Sequence, residues 1–279
     1  MSDSIKTLLA ESMDTEIFGQ NSKMKLYRFN DPRFEHYLLR MRRAESPEQI
    51  LRTTTSLTPP ALLFKGFNAS QPLLEGRNSS GNILFEIVPL QKGAPLSTFT
   101  LRPNDAYNSI FEGDDAQQRL NDFYAQAAFI GTPNPYGTQL TDDYNISNVM
   151  LDEGTLRHID KFGSEVRKLP IRDSEYGSPR RRHHTDVHHQ ESHLYKLSKY
   201  MYEANCDASG FNLSEHVTMC NRARDYAQDL IDRDAFGEVY PEWKGFEKVE
   251  GIQALSLNDS PEQLLETLNT LYKEAGCER

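Results

Sequence analysis

Thr141–Gly163 reads TDDYNISNVMLDEGTLRHIDKFG. The stretch opens on a polar turn around Asp142, Asp143 and Tyr144 and reaches Asn148 five residues after Asp143. Val149-Met150-Leu151 follows as a short apolar strand. Gly154 then turns the chain into Leu156-Arg157-His158-Ile159, a second strand that delivers Asp160-Lys161-Phe162-Gly163. Taken alone, these residues describe a polar turn closed by two strands, because Asp, Asn and Ser favour turns through local hydrogen bonds. Their oxygen-bearing side chains nevertheless come in an order with chemical meaning. Asp143 supplies a carboxylate able to receive a proton, and Asn148 and Asp160 supply the oxygen ligands that a hard divalent cation prefers.

That order resembles the catalytic core of the protein kinases, in which an H-R-D-x-x-x-x-N loop is followed by D-F-G. Asp143 and Asn148 keep the kinase spacing, whereas Thr141-Asp142 stands where His-Arg is usual and Lys161 is inserted before Phe162-Gly163. The resemblance implies ATP and Mg²⁺ as cosubstrate and cofactor, Asp143 as the base, and Asn148 and Asp160 as metal ligands. Asp142 competes for the role of base, but the spacing to Asn148 favours Asp143. The absent Arg removes the usual docking point for a phosphorylated activation loop. An enzyme built on this loop is therefore expected not to need that switch.

The rest of the chain sets the context. Its 279 residues suffice for one two-lobed domain or two small ones. With 37% hydrophobic and 26% charged residues, the composition is that of an ordinary globular protein. No apolar run approaches membrane-spanning length, and Met1–Ala10 lacks a basic-then-apolar signal. The net charge of -10 argues against bulk nucleic-acid binding. Cys206, Cys220 and Cys277 are odd in number and widely spaced, so they suggest neither a disulfide framework nor a zinc ribbon. A cytoplasmic location is expected, with secretion lacking a cleaved signal as the alternative.

Lys23–Phe29 alternates polar and apolar residues as a half-buried strand does. Gly19–Ser22 before it reads as a turn. Asp31-Pro32 predicts a helix start, with Phe34, Tyr37, Leu38 and Met41 on one face behind it, and Ser46-Pro47-Glu48-Gln49 predicts another. Ala61–Phe67 and Asn82–Leu90 read as strands separated by a Gly/Asn/Ser turn region. Residues 115–129 read as a buried helix leading to the Asp143 loop. Residues 164–185 read as a loop, and helical patterns return at 186–203 and 214–232. Ser260-Pro261-Glu262-Gln263 opens a last helix bearing Leu264, Leu265, Leu268 and Leu271, which either completes the second lobe or docks a partner. Strands, a helix, more strands and then helices is the order of a kinase-like fold. The expectation is an α+β chain with a strand-rich N-lobe over 1–90 and a mainly helical C-lobe over 91–279.

Within that resemblance, Asn82–Pro89 is similar to the fifth strand and hinge, where the backbone of Glu86 and Val88 would hold the adenine. Pro95–Phe99 would begin the helix beyond it. Lys25 is the candidate phosphate-binding strand lysine, with Lys23 two residues away on the same face. Glu48 is its candidate partner, with Glu35 and Glu45 as competitors. G-x-G-x-x-G is absent, and Gly19 is the glycine closest before Lys25. This reduced N-lobe is similar to those of small kinases that bacteria inject into host cells. That likeness implies a protein substrate, for such effectors a host protein, with Ser or Thr favoured over Tyr as acceptor. A small-molecule phosphotransferase and an inactive kinase-like scaffold are the alternatives. His183, His184, His188, His189 and His193 contain i,i+4 pairs able to share a metal, but a solvated helix face explains them more simply. Arg180–Arg182 reads either as a solvated charge run or as an anchor for acidic groups. The oligomeric state is open.

Overall fold

Local capping starts the fold. The computed structural model describes residues 3–15, 19–20, 24–42, 45–65, 71–91, 93–95, 118, 122, 149–152, 155–158, 229–230, 233, 235–241 and 245–276. Ser4 accepts a hydrogen bond from the Thr7 N–H and opens helix α1 (Ile5–Met13). Ile5, Leu8, Leu9 and Met13 recur at helical spacing and form its buried stripe. Strands β1 (Gly19–Gln20) and β2 (Met24–Arg28) follow. Asp31 then caps a single 3₁₀ turn, Pro32–Phe34, and the chain extends as β3 (Tyr37–Arg42).

Two expectations change here. Gly19 sits in a strand opposite Leu26, where the sequence predicts a turn. The predicted helix bearing Phe34, Tyr37, Leu38 and Met41 is one 3₁₀ turn followed by a strand. Leu38, Leu39, Arg40 and Met41 are all buried, and a run buried on both sides fits helix and strand patterns alike. Pairing with neighbouring strands decides for the strand.

Ser46 caps α2 (Pro47–Thr53) as its sequence predicts, accepting from the Gln49 N–H. The chain continues into β4 (Thr54–Thr58), β5 (Leu62–Lys65), β6 (Leu74–Asn78) and β7 (Ile83–Pro89). Six of these strands form an antiparallel sheet in the order β1-β2-β3-β7-β6-β4. Residues directly opposite each other in such a sheet share a face. Tyr27, Leu39, Ile87 and Leu74 therefore make one row, and Met41, Phe85 and Gly76 the next. Gly76 is required there, because an added Cβ would meet the Phe85 ring at 2.2 Å. The ring fills the space that a side chain on β6 would need.

The chain divides into two compact units, Met1–Leu90 with Lys244–Arg279, and Gln91–Trp243. In the second unit, β8 (Ala94–Pro95), β9 (Val149–Asp152) and β10 (Thr155–His158) form a sheet in the order β10-β9-β8. Pro95, expected to begin a helix, instead lies in an edge strand opposite Met150, the kind of strand to which proline within a sheet is confined. A short helix, α3 (Phe236–Val239), lies near the end of this unit. The helical patterns at 186–203 and most of 115–129 and 214–232 fall outside the described residues.

The C-terminal stretch, grouped by the sequence with 91–243, belongs to the first unit. Strand β11 (Gly245–Lys248) pairs with β5. Leu57 and Leu255 exchange two backbone hydrogen bonds of 2.9 Å, and the Ile5 N–H donates to the Asp259 carbonyl at 2.9 Å. Helix α4 (Pro261–Glu274) begins with a full capping box between Ser260 and Gln263. Its Leu264, Leu268 and Leu271 are fully buried in one cluster with α1, α2 and the sheet rows above. The Tyr37 hydroxyl donates to Asn269 Oδ1 at 2.8 Å, and Arg33 bridges Asp31 and Glu262.

Leu268→Ala is expected to destabilise the first unit by about 2–5 kcal/mol, the range for emptying a well-packed leucine site. Deleting residues 261–279 should abolish its cooperative unfolding altogether. Urea or thermal denaturation followed by circular dichroism checks both.

Candidate functional site

The β9–β10 hairpin forms as the sequence predicts. Asp152 pairs with Thr155, Leu151 with Leu156, Met150 with Arg157 and Val149 with His158. This register pairs Val149 with His158 at the open end; Glu153 and Gly154, which separate the two strands in sequence, lie outside the described residues. In the chain, Asn148 directly precedes Val149, and Asp160 follows His158 by two residues. Asp143, Asn148 and Asp160 themselves lie outside the described residues, as do Asp142, the histidines at 183–193 and Arg180–Arg182. Met150 is buried, and Ala94 pairs with Leu151, so the hairpin is held from its other edge by β8.

The N-terminal candidates are distributed differently from expectation. Lys25 is half-buried on β2 opposite Met41, on the core face of the sheet. Glu48 is exposed in the first turn of α2, where the helix dipole alone favours a carboxylate. No ion pair joins Lys25 to Glu48 among the described residues. Gly19 lies at the sheet edge in β1, and residues 21–23, which join it to β2, are outside the described set. Glu86 is inside the sheet, opposite Arg40 on one side and Glu75 on the other. Its backbone therefore serves the strand ladder, and the hinge role expected of it does not fit that position. Val88 pairs with Leu38 one residue before the strand ends at Pro89.

What the sequence reading missed is a polar row across the sheet face opposite the core. Arg40, Glu86, Glu75 and Thr58 stand side by side on β3, β7, β6 and β4, with Leu26 of β2 next to Arg40 at the end of the row. Arg40 Nε donates to Glu86 Oε2 at 2.7 Å, with both side chains less than a tenth exposed. Arg77 holds Glu75 Oε2 and also donates to the Gly81 carbonyl at 2.6 Å. Glu75 Oε1 and Thr58 Oγ1 are buried and have no hydrogen-bond partner among the described residues. The available signal was a charge inside each apolar run, YLLRMR, LLEGR and LFEIV; charged residues are rarely fully buried unless paired. Only the strand register shows which charges meet.

The energetics of this row are asymmetric. Removing one partner of a buried ion pair costs about 3–5 kcal/mol, because the other charge is left uncompensated, whereas replacing both with apolar residues is often neutral or stabilising. Burial pushes the Glu75 carboxyl above the usual glutamate range. The Arg77 charge and hydrogen bond oppose that shift, and Glu86 across the strands reinforces it. An acid whose pKa is raised by folding adds stability below its unfolded pKa and loses it as pH rises through the folded value.

The first unit should therefore lose stability as pH rises from the ordinary glutamate range through the raised value of Glu75. Glu75→Gln should unfold at a higher temperature than wild type near neutral pH and show a flatter dependence across that window. Melting curves of the two proteins from mild acid to neutral pH check the sign. No protein-family model matches the chain, and no curated protein matches it.

Proposed function

We propose that the chain is a phosphotransferase of two-lobed, protein-kinase-like fold that moves the γ-phosphoryl group of ATP onto a protein hydroxyl. The observation that carries this reading is the β9–β10 hairpin, whose paired open end connects in the chain to Asn148 on one side and Asp160 on the other. The helix α2 between β3 and β4 supports it, together with the antiparallel order β1-β2-β3-β7-β6. A strand-rich sheet with a helix after its third strand is the arrangement expected of a kinase N-lobe.

In this reading Asp143 orients the acceptor hydroxyl and takes its proton. The hydroxyl oxygen forms a bond to the γ-phosphorus as the bond to the β-phosphate oxygen breaks, and ADP leaves. Asn148 and Asp160 offer oxygen donors only, a set that fits Mg²⁺. When bound, the metal neutralises charge on the phosphate oxygens. The acceptor would be a protein Ser or Thr, on a host protein if the chain is delivered as an effector. Among the described residues, no helix is long and apolar enough to cross a membrane.

Asp160→Ala should reduce phosphotransfer to background while leaving the fold intact. Asp143→Ala should lower kcat by about 10²–10⁴, the usual contribution of a positioned base. Transfer from radiolabelled ATP, assayed against a protein lysate and a panel of small hydroxyl compounds, tests both. Full activity in Asp160→Ala overturns the reading. Label in a small compound alone reassigns the acceptor class, and no label in wild type leaves a binding scaffold.

A further inference from the structure

We draw no further inference here: the strongest candidate, the pair of buried oxygens Glu75 Oε1 and Thr58 Oγ1 on the facing strands β6 and β4, lies on a covered face of the sheet, and nothing among the described residues shows a cavity or a group that would meet them.

Discussion

The structure of the first unit depends on covering one sheet face with helices drawn from both ends of the chain. Tyr27, Leu39, Met41, Phe85 and Ile87 present a continuous apolar surface, and α1, α2 and α4 are packed into the same cluster with it. Each large aliphatic or aromatic side chain removed from water there contributes about 1.5–3 kcal/mol. Local capping starts the helices, but burial against the sheet holds them, since a nine-residue helix such as α1 is marginal in isolation. The hydrogen bonds from Ile5 and Lys6 to the 257–259 segment, and those between Leu57 and Leu255, set where α4 begins.

The other face of the same sheet follows a different logic. It buries charge, and it does so along a row in which Arg40, Glu86 and Glu75 come from three adjacent strands. Arg40 satisfies Glu86 and Arg77 satisfies one oxygen of Glu75, while the second oxygen of Glu75 and the Thr58 hydroxyl are unpaired among the described residues. One face of the sheet therefore supplies stability. The other carries a desolvation cost that an apolar row would avoid.

Legibility in the sequence followed locality. Both Ser-Pro-Glu-Gln helix starts were readable because a cap involves residues three apart, and β2, β7, β9 and β10 were readable from apolar alternation or runs. The strand β3 was mistaken for a helix because Phe34, Tyr37, Leu38 and Met41 fit helical spacing as well as they fit a strand buried on both sides. Strands β4 and β6 were missed. Thr54–Thr58 is largely polar, and Leu74–Asn78 contains a glycine explained only by the Phe85 ring on the next strand. The pairing of Arg40 with Glu86 was unreadable for a related reason. It joins residues 46 apart in sequence, and only the strand register brings them together. The hairpin of the candidate active site was legible, whereas the polar residues flanking it lie outside the described set.

The return of Lys244–Arg279 to the unit begun by Met1–Leu90 has a consequence for synthesis. The sheet strands leave the ribosome first, but the helix and strand that finish their core are translated after residues 91–243. At ordinary elongation rates that interval is about 8–30 s. Throughout it, the face carrying Leu39, Met41 and Phe85 lacks α4, a long exposure for an apolar surface. A premature stop anywhere before α4 therefore leaves a product whose apolar sheet face lacks part of its cover.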